Sequence, residues 1–127
     1  MARFDYTAAG HVTVDVLADG TTQPGGGAFY SALQASRLGL RALIVTRGRT
    51  REIERLLEPY AAELELQVQP SAHVTTLQSC ASGSAPAQRV LAWAGALEAP
   101  AAVDSDILHF APVARETGRH WHGRARF

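Results

Sequence analysis

The stretch Gln23 to Gly39, QPGGGAFYSALQASRLG, restricts the possible folds more than any other part of the chain. Three consecutive glycines carry no Cβ, so their backbone N–H groups can come within touching distance of a ligand, and positive φ is free of steric cost. Directly after them Phe29, Ala32, Leu33, Ser36 and Leu38 recur at spacings of three and four. That period predicts a helix of about three turns with one apolar or small face, and Gly39 is placed to end it as a C-terminal cap. A helix start offers unpaired N–H groups and the positive end of the macrodipole, which suits hydroxyls or anions. A plain tight turn before a core helix would use the same residues.

The flanking segments predict an α/β chain. Phe4 to Val16 alternates, and His11 to Leu17 has the β-branched content of a strand. Gly10 interrupts this run, which predicts a bend or a point where something packs on the backbone. Ala18-Asp19-Gly20 reads as a turn, and Thr21 to Gln23 leads into the glycines. Arg41 to Thr46 reads as a short buried strand closed by Gly48. Arg49 to Ala62 shows a second amphipathic helix, with Thr50 as N-cap and a stop or kink at Pro59. Further strands are predicted over Glu63 to Val68 and His73 to Ser79. Another covers Arg89 to Ala94, pairing with His73 to Ser79 across the loop Ala81 to Pro86, and the last is Asp106 to Phe110. The order β, helix, β, helix and then strands implies an α/β sheet with a small β appendage. Residues 1–127 read as a single domain. Ala111 to Phe127 has no sustained period, so 114–127 is expected to be a poorly ordered tail.

Composition excludes several classes. The 127 residues are 46% hydrophobic and 19% charged, which is globular, and the formal net charge of zero argues against nucleic acid or an anionic membrane as partner. Every basic residue is Arg; without a Lys there is no P-loop and no Schiff-base chemistry. The one cysteine, Cys80, cannot form an internal disulfide, and no apolar run approaches the length of a membrane span. The expected compartment is the cytoplasm.

The order GHVTVDVL, PGGGAFYSALQASRLG, RALIVTRG resembles the N-terminal half of the PfkB/ribokinase-like carbohydrate kinases. In that family a first strand ends in Gly followed by a sugar-binding Asp, and a Gly-Gly motif precedes an Asn on a helix ending Leu-Gly. Gly10 and Asp15 match the first element; Gly25, Gly26, Ala32, Leu38 and Gly39 match the second. The resemblance runs from about Asp5 to Val113 and implies a Rossmann-like αβα sandwich with a small β lid over the sugar. It implies that Asp15 accepts hydrogen bonds from sugar hydroxyls, that Gly25 and Gly26 let the backbone approach the same ring, and that His11 lines the pocket. Thr75 or Thr76 would stand near the family's lid threonine, Thr76 being the candidate taken. Tyr30 occupies the family's Asn position, and the family's Gly-Ala-Gly-Asp anion hole with its catalytic Asp does not occur in this sequence.

What the resemblance implies is therefore the sugar-acceptor side of an ATP-dependent carbohydrate or nucleoside kinase. ATP and Mg are implied for the full-length family but not as ligands of this chain alone, which is expected to be a truncated portion inactive by itself. The partner is a small sugar, polyol or nucleoside. The alternative is a non-catalytic polyol-binding module, or a pseudo-enzyme subunit completed by another chain. An apolar edge left open at Ile107 to Phe110 would favour self-association.

Other candidate constellations are weaker. Gly25-x-Gly27 is a partial dinucleotide fingerprint whose third glycine position is Tyr30. His120 and His122 flank Trp121 as two of the three or four ligands a metal needs. Arg115, Arg119, Arg124 and Arg126 around Trp121 read as a surface helix. Asp104 and Asp106 read as a turn cap rather than an acid/base pair.

Overall fold

The computed structural model describes residues 3–82, 85–98, 103–118, 121 and 123–127. Two four-stranded sheets make up the fold. The first is β1 (Arg3–Ala9), β4 (Ala42–Gly48), β5 (Glu65–Pro70) and β8 (Asp104–Phe110), in the order β5-β4-β1-β8 with every pairing parallel. The second is β2 (Thr13–Val16), β3 (Thr22–Gly25), β6 (Thr76–Ser82) and β7 (Ala85–Ala92), in the order β3-β2-β6-β7. It consists of two antiparallel hairpins joined along a parallel β2–β6 seam. Helix α1 (Gly27–Arg37) and helix α2 (Thr50–Leu56) complete the regular structure, with a 3-10 turn at Glu58–Tyr60.

Parallel strands covered on both faces read as continuous apolar runs, and β4, ALIVTRG, is buried along nearly its whole length. One face of the first sheet packs Ala8 and Ile44 against Ala28, Phe29, Ala32 and Leu33 of α1 and Ile53 of α2. The other face gathers Phe4, Ala9, Leu43, Val45 and Val103 under Leu97 and Trp121. Helix α1 ends as its sequence predicts: Gly39 sits at φ +91°, its N–H donates to Ser36 and the N–H of Leu40 to Ala35. This pair of bonds is a Schellman motif, which needs a residue at ease with positive φ.

The expected single run Phe4 to Val16 is two strands in two different sheets. Between them Gly10 lies so close to Ala111 that a Cβ would overlap the Ala111 carbonyl, while the Ala111 N–H donates to Ala9 at 2.8 Å. The bend therefore comes from β1 and β8 converging at their C-terminal ends. Thr22–Gly25 forms a strand where a lead-in was expected, and the β6–β7 turn is shorter than Ala81 to Pro86 because pairing extends to Ser82↔Ala85. Thr50 is the first helical residue of α2 rather than its cap; Arg49 precedes it with no side-chain capping bond. The regular helix stops at Leu56, and Pro59 occupies the first turn of the 3-10 segment, where its missing N–H costs nothing.

Among the described residues of the expected tail, several have defined neighbours. Glu116 is buried at 1% exposure, and residues 124–127 run beside β8, with Ser105 N–H to Arg124 at 2.9 Å and Leu108 N–H to Phe127 at 2.8 Å. The β8 edge expected to stand open thus has its ladder partly filled, which removes the basis for self-association through it. Among the described residues no helix is long and apolar enough to cross a membrane.

Candidate functional site

Asp15 lies on β2 in the smaller sheet, opposite Gln23 of β3 and Leu77 of β6. Side chains at alternate positions share a face, so the register puts Thr13, Asp15, Gln23, Gly25 and Leu77 on one side and Val14, Pro24 and Thr76 on the other. The Thr13 hydroxyl donates to Asp15 Oδ1 at 2.6 Å. From the other direction Gly25 closes on the carboxylate so tightly that a Cβ there would overlap both oxygens. A buried hydroxyl and a glycine backbone therefore hold one half-buried carboxylate in a single orientation.

Gly26 follows as the N-cap of α1, at φ +97° and without a side-chain capping bond, packed on the His11 carbonyl. The glycines thus serve two separate contacts, Gly25 with Asp15 and Gly26 with His11. They follow a strand of the antiparallel hairpin in the second sheet, not a strand of the parallel sheet, so they do not form a dinucleotide-binding turn. Tyr30, in the first turn of α1, is 52% exposed and its hydroxyl donates to the Pro24 carbonyl at 3.3 Å.

Two candidates stand away from the carboxylate. Thr76 pairs with Val14 and bonds the Val74 carbonyl, which places it on the sheet face opposite Asp15; Thr75, beside it, is buried against His11. His11 itself is fully buried, with Nδ1 2.7 Å from the Thr75 hydroxyl and Nε2 2.8 Å from the Gly95 carbonyl. Both ring nitrogens are committed to the protein, so the ring does not line an open pocket.

Glu116 was not legible as a site residue. Its carboxylate accepts N–H bonds from His11 at 2.7 Å, Val113 at 2.9 Å and Ala114 at 2.8 Å, and stands 3.7 Å from His11 Nδ1. Burial alone would raise this carboxyl, but the N–H groups and the neighbouring imidazole outweigh it and hold it below its ordinary value. His11 moves the same way for the opposite reason: burial disfavours its charged form more than Glu116 and the Gly95 carbonyl favour it. Gln23 was also missed, since only the β2–β3 register shows it opposite Asp15.

The remaining candidates have structural partners or fall elsewhere. Asp104 accepts the Arg124 N–H at 3.0 Å and Asp106 pairs with Arg3, both on the β8 edge. His120, His122 and Arg119 lie outside the described residues. Among the described residues no three His, Cys, Asp or Glu side chains converge as a metal site. The cleft of about 280 Å3 between α2 and β5, lined by Glu54, Leu57, Glu58, Tyr60, Leu64 and Leu66, contains none of the candidates.

No protein-family model matches this sequence, and no curated protein matches it. Solved structures do. A pyrophosphate-dependent kinase in the ribokinase family, complexed with a pyrophosphate analog and myo-inositol, superposes with TM-score 0.65 at 19% identity over 89% of this chain and 42% of its own. This chain has the ribokinase-family fold. The nucleoside kinase of Methanocaldococcus jannaschii, an archaeal member of that family, superposes at TM-score 0.61 and 14% identity over 87% of this chain and 44% of its own. A sugar kinase from Pyrococcus horikoshii in complex with ATP gives TM-score 0.56 and 19% identity over 67% and 33%. The chain spans about two fifths of the length of the first of these. In the ribokinase-like arrangement the second sheet is the small β lid, so Asp15 sits on the lid and not on the parallel sheet.

Proposed function

We propose that this chain forms the phosphoryl-acceptor side of a ribokinase-family kinase, binding a sugar, polyol or nucleoside through its hydroxyls at Asp15. The observation that carries the reading is the fixed carboxylate: Thr13 engages Oδ1 at 2.6 Å while Gly25 leaves room for Asp15 only because it has no side chain. An ionised carboxylate is purely an acceptor with several lone pairs, so an oriented one suits vicinal hydroxyl donors. On the same face the Gln23 amide adds a donor and an acceptor, and Leu77, paired with Val90 of β7, adds an apolar strip. That combination matches a ring with hydroxyls on its rim and C–H groups on its face. Gly26 and Tyr30 are proposed to border the same ring from the α1 side.

Transfer of a phosphoryl group to such a hydroxyl requires a donor, charge stabilisation and a group that takes the hydroxyl proton. The structural neighbours include complexes with ATP and with a pyrophosphate analog. No magnesium–nucleotide site is assigned to this chain in this reading. No catalytic base is assigned, and the chain is proposed to bind the acceptor without transferring phosphate by itself. A polyol-binding module, or a subunit completed by another chain, is the second reading. The cytoplasm is the proposed compartment.

The test is a thermal-shift titration against myo-inositol, hexoses and nucleosides, with ATP and pyrophosphate as separate ligands. A ligand that binds the native state raises Tm by mass action. A rise with a polyol or nucleoside that is lost in Asp15→Asn supports the reading. A rise with ATP alone, or polyol shifts that persist in Asp15→Asn, contradicts it.

A further inference from the structure

Four chain crossings join the lid to the parallel sheet: residues 10–12, Gly26, residues 71–75, and the segment that leaves β7 through Gly95. His11 meets all four. It lies in the first, its carbonyl packs on Gly26, Nδ1 meets Thr75 and Nε2 meets Gly95. Its N–H donates to Glu116, and the next residue, Val12, donates to Thr46 of β4 at 2.9 Å.

Proton bookkeeping fixes the tautomer. The Gly95 carbonyl can only accept, so Nε2 carries the hydrogen. The Thr75 hydroxyl oxygen accepts the Ala94 N–H at 2.9 Å and gives its own hydrogen to Nδ1. Every donor and acceptor is satisfied only while the ring is neutral. Two charged groups act on it, the Glu116 carboxylate beside Nδ1 and the Arg47 guanidinium of β4, which donates to the Ala96 carbonyl just past Gly95.

We propose that His11 and Glu116 are positioning residues of the polyol site: the neutral imidazole braces the lid at one angle to the parallel sheet, and a proton on Nδ1 releases the brace. The proposal rests on the reading of Asp15 as the hydroxyl-binding carboxylate. With Nδ1 protonated, two hydrogens face each other across a 2.7 Å contact. The Thr75 hydroxyl must turn away, or the ring must swing towards Glu116, which stands 3.7 Å off. Turning the hydroxyl moves only its hydrogen, whereas a shift of Thr75 itself is felt on β2, because its carbonyl accepts the N–H of Val14, the residue before Asp15, at 2.9 Å. Where the ring swings and Thr75 follows it, the shift reaches Val14 through that backbone bond and Asp15 along the strand. Burial holds the His11 ring below its ordinary value, so release belongs on the acid side of the ordinary imidazole range.

Trp93 supplies a readout independent of ligand, since its ring stands edge-on to His11 with centroids 6.3 Å apart and an imidazolium quenches a neighbouring indole. In a Trp121→Phe background Trp93 is the one tryptophan left. Its emission should fall through one transition with a midpoint below about pH 6.5. The myo-inositol Kd should rise about tenfold across that same transition, the equivalent of ~1.4 kcal/mol. Thr75→Ser should keep both changes, and His11→Gln should abolish both. Glu116→Gln, which keeps an acceptor oxygen for the His11 N–H, should move the midpoint lower. The parent and Thr75→Ser chains suffice where His11→Gln does not fold. A Trp93 transition with unchanged affinity overturns the positioning role, and a folded parent with no transition between pH 7.5 and 4.5 overturns the brace. Absence of polyol binding at pH 7.5 would instead defeat the acceptor-site reading, and the brace would then be judged by hydrogen exchange. Faster exchange of β2 and β6 amides below the Trp93 midpoint supports it, and unchanged exchange rejects it.

Discussion

Gly25→Ala separates the geometry of the Asp15 site from the stability of the fold. Gly25 does not sit at positive φ, so alanine carries no backbone strain there. Reduced freedom of the unfolded chain would by itself stabilise the variant by about 0.4–1 kcal/mol. Against this, the new Cβ occupies the space of the Asp15 carboxylate and forces it away from Thr13. A hydrogen bond to a charged group contributes about 1.5–3 kcal/mol, so the net result is a loss of roughly 1–2 kcal/mol. In a domain of this size that lowers Tm by about 3–10 °C, measurable by calorimetry. Affinity for a polyol should fall at least tenfold, because the carboxylate no longer keeps its orientation. Thr13→Val should add little to the Tm loss of Gly25→Ala, since both remove the same bond and neighbouring changes are not additive. A Gly25→Ala chain with undiminished Tm and unchanged binding would refute the claim that the glycine holds Asp15.

Three further outcomes follow from other parts of the structure. Glu116→Ala leaves the buried N–H of His11 and the part-buried N–H groups of Val113 and Ala114 without their acceptor; at about 1–3 kcal/mol for the buried group and less for the others, denaturant unfolding should show a loss of roughly 2–4 kcal/mol. Gly39→Ala meets open space but must adopt φ +91°, so it should cost about 1 kcal/mol through strain alone, with binding unaffected. The pH dependence of stability should have two acid-side steps. Because folded His11 binds its proton less readily than the unfolded chain does, stability falls as pH drops below about 6.5 and levels off once the folded ring is protonated. Glu116, also held below its ordinary value, contributes stability above about pH 4.3 that is lost as pH falls through its lower folded value. Urea denaturation between pH 8 and 3 reads both steps, and Glu116→Gln should remove the lower one.

What the sequence revealed was local chemistry with a period or a required φ. Helix α1, its glycine cap, the buried strand β4 and the special role of Gly10 all follow from residue types whose conformational preferences act over a few positions. Asp15 stood out through the resemblance, which pairs it with Gly10 in the family's first element. Gly10 marked the break in residues 3–16, but their partition between two sheets was hidden, since only Ala111, about a hundred residues away, forces the bend. Thr75 and Thr76 differ by one position, and one position reverses the sheet face; the register with Val14 decides between them. Glu116 was invisible because all its partners are backbone N–H groups brought together by tertiary structure, and an acidic residue in an aperiodic stretch reads as solvated.

The most direct measurement is an amide-resolved NMR titration of the intact chain with myo-inositol at pH 7.5. Binding at the acceptor site predicts saturable shifts centred on Thr13 to Asp15, Gln23 and Gly25 to Gly27, lost in Asp15→Asn. Shifts centred elsewhere, such as the cleft of Leu57, Tyr60 and Leu66, or no shifts for myo-inositol and none for hexoses or nucleosides, would contradict the assignment of this face as a hydroxyl-binding site.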